Sequence, residues 1–135
     1  MLRGDEDAAQ RYFAQALEAT GAVALDDLAF EPGSSRLGPG DFASLAELAD
    51  FLRASPERRV VLVGHTDASG SLAANTALSR ARATAVRDRL IADFAVPAGQ
   101  VSAEGAGYLA PRDTNLTEEG RARNRRVEVI LTSTQ

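Results

Sequence analysis

The sequence predicts a two-layer α/β sandwich of the α+β class, built on a mixed sheet. Three observations predict it. Short runs rich in valine and leucine alternate along the chain with stretches whose apolar residues recur at helical spacing. A last strand-like run follows a long loop and adds a strand outside that alternation. The chain has 135 residues, 44% of them hydrophobic, which suffices for one core but not for two.

Taken in order, residues 5–20 carry a helical pattern that clusters Ala9, Tyr12, Phe13, Ala16 and Leu17 on one side, and Gly21 stops it. This is a lead-in helix over 1–20, ahead of a domain over 21–135. Residues 22–30 (AVALDDLAF) alternate weakly and read as a strand broken at Asp26-Asp27. Residues 31–35 (EPGSS) and Gly38-Pro39-Gly40 are turns by composition. Asp41 stands where an N-cap belongs. Leu45, Leu48, Ala49 and Leu52 then predict an amphipathic helix over 42–54, closed by Pro56. Residues 59–64 (RVVLVG) predict a buried strand.

The following helix is predicted over 75–94. Asn75 is its expected cap, and Ser79, Ala83, Val86, Leu90 and Phe94 form its buried stripe. Residues 100–105 read as a short strand and 106–115 as a loop. Thr117-Glu118-Glu119 reads as a capped helical turn, with acidic residues at the positive end of the dipole. Residues 126–132 (RVEVILT) are the closing strand.

Composition excludes several function classes. A net charge of −4 opposes general binding to nucleic acid, which needs a basic face. Cysteine is absent, so disulfides, thiol catalysis and cysteine-based zinc are excluded. With one histidine and no EF-hand spacing, no metal or cofactor is implied. No apolar run approaches the roughly 20 residues of a membrane span, and residues 1–5 (MLRGD) are no signal peptide. An export signal or membrane segment, if the protein uses one, is expected upstream of this chain.

Two opposite charges mark the centre of the chain. Asp67 lies just past the 59–64 strand, and Arg82 lies fifteen positions further on, in the helix. At about 100° per residue, Arg82 sits roughly 80° from the centre of the buried stripe, so it is expected to flank the core and face the loop after Asp67. Free amides at the helix start, with Asn75, favour a carboxylate. Arg82 adds a planar fork for the same group, and Asp67 offers a fixed anion for an ammonium. An amino-acid head group fits between them. The spacing equally allows Asp67 and Arg82 to pair with one another and brace the loop.

His65 stands beside Asp67, with Ser69, Ser71 and Ser79 nearby, but no G-x-S-x-G occurs, and a structural hydrogen bond is its expected role. Arg121, Arg123, Arg125 and Arg126 are expected to pair with Glu118, Glu119 and neighbouring carboxylates.

GHTDASG at 64–70, N-x-x-LS-x-x-RA-x-x-V at 75–86, G-x-G at 105–107 and NRRVEV at 124–129 occur in one chain, after FEPGSSRL at 30–37. Together they resemble the C-terminal peptidoglycan-binding domain of the OmpA/MotB/Pal family, over residues 22–131. The resemblance implies a β-α-β-α-β-β core with helices on one sheet face. It implies a non-catalytic module that grips meso-diaminopimelate in the stem peptide of the cell wall and anchors an envelope protein in the periplasm, at the outer membrane.

By this resemblance Asp67, Arg82 and Asn75 hold the ligand. Thr66, Leu78 and the backbone around Phe30 and Glu31 line the site. Arg126, from its place in the NRR motif, is a further contact to anionic wall groups. Members often carry Asp where this chain has Glu31. The resemblance leaves open a flagellar stator anchor, a lipoprotein with a periplasmic partner, or a degenerate structural copy, and a small wall hydrolase is the rival from another class. As partly exposed residues, Asp67 and Arg82 are expected to tolerate alanine within about 1–2 kcal/mol of stability while binding is lost.

Overall fold

A computed structural model describes residues 2–134, with side-chain surroundings from residue 11 onward. Helix α1 (Leu2–Thr20) leads into strand β1 (Ala22–Ala24), then α2 (Ala43–Ala54) and β2 (Val60–Gly64). The long helix α3 (Leu72–Phe94) connects β2 to β3 (Val101–Gly105), and the short α4 (Glu118–Asn124) precedes β4 (Val127–Leu131). The four strands make one mixed sheet in the order β1-β4-β2-β3. The β2/β3 pair is parallel, and β4 runs antiparallel to both β2 and β1. The mixed sandwich predicted from the alternation of elements is the fold observed.

One face of the sheet is apolar and covered. Val60, Leu62, Val101, Val127 and Val129 are buried there with Leu45, Leu48 and Leu52 of α2 and Ala83, Val86 and Leu90 of α3. The alternate residues Val61, Val63 and Ile130 are only half-buried, as period-two strands with one covered face require. Phe13 and Leu17 bring α1 into the same core.

Several predicted details are corrected. Tyr12 is 74% exposed and Ala16 is exposed, so the apolar side of α1 is narrower than its pattern suggested. Ala9 lies outside the residues whose side chains are described. The 22–30 strand ends at Ala24, where the chain turns with Leu28 donating to the Leu25 carbonyl at 3.1 Å, and Leu25, Leu28 and Phe30 are buried as loop residues. Asp41 does not cap α2. Phe42 occupies that position, and the Ser44 amide donates instead to Asp27 Oδ2 at 3.0 Å. Helix α3 begins three residues before the predicted start, because the Ser71 hydroxyl accepts the Ala74 amide at 3.1 Å. Thr117 caps α4 as predicted, accepting from Gly120 at 3.0 Å.

Glycine decides where α3 lies. Gly64 and Gly105 are register partners on β2 and β3. A Cβ at Gly64 would stand 1.8 Å from the Ser79 carbonyl oxygen, and one at Gly105 would stand 2.5 Å from the Arg80 amide nitrogen. The helix therefore rests directly on strand backbone. Ser79 Oγ adds a clasp, accepting the Gly107 amide at 2.9 Å. This close approach carries Arg82 to the rim where β2 ends.

Candidate functional site

Arg82 is fully buried, at 0% exposure. Its Nε donates to the Ser34 carbonyl at 2.8 Å, Nη1 to that of His65 at 3.1 Å and Nη2 to that of Glu31 at 3.1 Å. The guanidinium stacks 5.2 Å from the Phe30 ring centroid. Three of its five N–H groups are thus used, leaving one on each terminal nitrogen. Among the described residues it forms no ion pair. Burial pulls its pKa down to about 10, with the nearby Arg125 adding to the effect and Asp67 opposing it. A buried charge without a counter-ion is costly, and such a group at a cleft is a candidate for a functional role.

Arg82 opens onto a hollow of about 160 Å³. Asp67 lines the same hollow, with Thr66, Asn75 and Leu78 of α3 and the Pro32-Gly33 turn. Asp67 Oδ1 accepts the Ser69 amide at 2.9 Å, and Oδ2 accepts Arg125 Nη1 at 2.9 Å. Burial acts to push the Asp67 carboxyl up, but Ser69 and Arg125 hold it below the ordinary carboxylate value. The Thr66 hydroxyl is buried and has no hydrogen-bond partner among the described residues. The hollow thus offers a carboxylate, a guanidinium with unused donors and an unpartnered hydroxyl within one small volume.

Asp67 and Arg82 face one hollow, as predicted, but they do not pair with one another. Arg82 is not at the flank of the core; it lies inside, because α3 sits so close to the strand ends. Asn75 is not a cap. It lies in the first turn, and its Nδ2 donates to the Ser69 and Ser71 carbonyls at 2.7 and 2.9 Å, fixing the loop that carries Asp67. The Asn75 amide donates to the Ser71 carbonyl, so the open helix start expected there is already occupied.

The Phe30–Glu31 segment serves the site through the arginines. The Phe30 carbonyl accepts Arg125 Nε at 3.2 Å and the Glu31 carbonyl accepts Arg82, while the wall of the hollow is the following Pro32-Gly33. Glu31 is exposed and borders a neighbouring groove, so the exchange of Asp for Glu lies outside the hollow. Arg126 also lies outside it. Its Nη2 donates to the Ala110 carbonyl at 3.0 Å and its Nε to Glu128 at 3.2 Å. The arginine at the site is Arg125, one residue earlier. Two adjacent arginines carry no sequence signal of which one the end of α4 turns inward.

The remaining basic residues pair locally, Arg121 with Glu118 at 3.2 Å and Arg123 with Asp113 at 3.0 Å. His65 Nε2 lies 3.0 Å from Glu128 Oε1. Contact with His65, opposed by burial and aided by Arg126, lowers the Glu128 pKa to about 2. The stabilisation this gives is complete above the ordinary value of 4.5 and disappears as pH falls through 2. Glu128→Gln is therefore expected to cost about 1 kcal/mol at pH 7, allowing for water around this half-buried group. In urea titrations the deficit should shrink steadily below pH 4.5; a deficit constant with pH would contradict the assignment.

Comparison with known proteins adds a family. A model of the OmpA family matches residues 29–125. Outer membrane porin F of Pseudomonas aeruginosa is 42% identical over 102 residues, which are 76% of this chain and 29% of that protein. The peptidoglycan-binding protein ArfA of Mycobacterium tuberculosis is 40% identical over 113 residues, 84% of this chain and 34% of that one. The chain thus spans about a third of the length of these two relatives. Among solved structures, the peptidoglycan-associated lipoprotein from Burkholderia pseudomallei superposes with a TM-score of 0.72 at 28% identity, covering 84% of this chain and 92% of that one. The cell wall anchor of the T6SS from Pseudomonas aeruginosa superposes at 0.66 with 32% identity, covering 91% and 96%.

Proposed function

Since the chain belongs to the OmpA family, we propose that its hollow binds peptidoglycan, holding the doubly charged end of meso-diaminopimelate in a stem peptide without reacting with it. Asp67 receives the ammonium. The two unused N–H groups of Arg82 take the carboxylate, and the Thr66 hydroxyl offers a further hydrogen bond. Asn75 holds the Asp67 loop in place, and Leu78 gives the ligand's aliphatic chain an apolar wall. The observation that carries this reading is the fully buried guanidinium of Arg82, which lines one hollow with Asp67 and, among the described residues, forms no ion pair of its own. Relatives named for peptidoglycan binding and for cell-wall anchoring support the wall as partner. The biological role that follows is to tether an envelope protein to the wall, in the periplasm near the outer membrane.

Ligand choice tests this. Lysine-type stem peptides have the ammonium but lack the neighbouring carboxylate, so Arg82 would stay unpaired. An unsatisfied charged group costs about 1–3 kcal/mol, roughly 5- to 150-fold in affinity. Calorimetry with the two purified muropeptides should show that preference for diaminopimelate, and equal affinities would refute the proposal.

A further inference from the structure

We infer that Arg125 is a positioning residue of this site, which, backed by Glu118, aims the Asp67 carboxylate at the incoming ammonium. The inference rests on the wall-binding reading, but its test does not depend on that reading alone. The Arg125 side chain is 7% exposed. Its three nitrogens go to three different segments: Nε to the Phe30 carbonyl at 3.2 Å, Nη1 to Asp67 Oδ2 at 2.9 Å and Nη2 to Glu118 Oε1 at 2.8 Å. With Oδ1 already on the Ser69 amide, both oxygens of Asp67 are pinned and the plane of the carboxylate is fixed. A carboxylate oxygen can accept more than one hydrogen bond, so this pinning does not by itself bar a ligand.

Charge balance explains Glu118. The charged groups facing Asp67 are Arg82 from α3 and Arg125 from the end of α4, while the 30–34 segment contributes carbonyls to these arginines. Two guanidinium groups around one carboxylate would repel an ammonium. Glu118 offsets Arg125 from behind, so the hollow presents one net pair, Asp67 with Arg82. The interactions of Arg125 support this: burial acts to lower its pKa, yet Glu118 and Asp67 carry it above the ordinary value.

Two measurements decide the matter. The first is an NMR titration of the Asp67 carboxyl carbon in the free protein, for wild type, Arg125→Lys and Arg125→Met. The second is calorimetry with a purified diaminopimelate muropeptide on the same proteins, and on Glu118→Gln, Asp67→Asn and Asp67→Asn/Arg125→Met. Arg125→Met should raise the Asp67 titration and weaken binding about tenfold or more, as loss of a charge-assisted hydrogen bond implies. Arg125→Lys, which keeps the charge but not the three-way grip, should hold the titration low and still bind several-fold more weakly. Glu118→Gln, at a side chain 60% exposed, should fold normally and also bind more weakly.

The double variant should bind no worse than Asp67→Asn. The inference is overturned if Arg125→Met leaves both titration and affinity at wild-type values, or if the double variant loses affinity additively. If Arg125→Met does not fold, unchanged affinity in both Arg125→Lys and Glu118→Gln overturns it instead. Absence of muropeptide binding by the wild type would refute the wall-binding reading, and the titration would still show whether Arg125 governs Asp67.

Discussion

Arg82→Ala is expected to lose binding to purified sacculi and about 3–4 kcal/mol of folding stability together. The loss of binding follows from the proposed pairing with the ligand carboxylate. The loss of stability follows from the three carbonyls, of Glu31, Ser34 and His65, that this one side chain satisfies. Each buried carbonyl left without a donor costs about 1–3 kcal/mol, partly recovered as water enters the space. The loss of no more than about 1–2 kcal/mol expected from sequence assumed a partly exposed side chain, and full burial raises it. Domains of this size are typically stable by about 5–15 kcal/mol, so the variant should remain folded at 25 °C and its binding can be measured. Arg82→Lys should lose less stability but most of the binding, because an ammonium cannot hold the carbonyls and offer a fork at once. Urea unfolding and co-sedimentation with sacculi check both; an Arg82→Ala variant as stable as wild type would show that the clamp on residues 31–34 is energetically idle.

Gly64→Ala should be as damaging without touching a ligand. Its Cβ would stand 1.8 Å from the Ser79 carbonyl oxygen and 2.6 Å from the carbon behind it, both backbone atoms that no rotamer change can move. Helix α3 must lift from the sheet, at a cost of about 3 kcal/mol or more. Lifting α3 also draws Arg82 from its carbonyls, so binding should weaken in step. Gly38→Ala is the control, since a Cβ there meets nothing within 4 Å and should alter stability by less than about 0.5 kcal/mol. Equal urea midpoints for the two variants would contradict the close packing described.

Much of this molecule is legible in its residues. The apolar, valine-rich run Val60–Gly64, the helical stripe Ser79-Ala83-Val86-Leu90 and the Thr117 cap are local signals, and each produced the element expected. That Asp67 and Arg82 share a hollow was also legible, since a strand end and the following helix bring them close. What was not legible depends on contacts distant in sequence. The amide cap of α2 comes from Asp27, seventeen positions before Ser44. The carbonyls that bury Arg82 come from residues 31 and 34, and the partner of Asp67 comes from Arg125, fifty-eight positions away. A helical wheel places Arg82 by angle alone. It cannot show that two glycines let the helix sink until that angle points inward.

The triple grip of Arg82 has an evolutionary consequence. A lineage that no longer needed the wall would gain nothing by changing Arg82, since the same atoms keep the 31–34 segment in place whether or not a ligand is ever met. Asp67 holds only one amide of the main chain and shares Arg125 with Glu118, so drift should erase it before Arg82. Descendants that have abandoned their cargo would then betray themselves by a retained arginine facing a vanished acid.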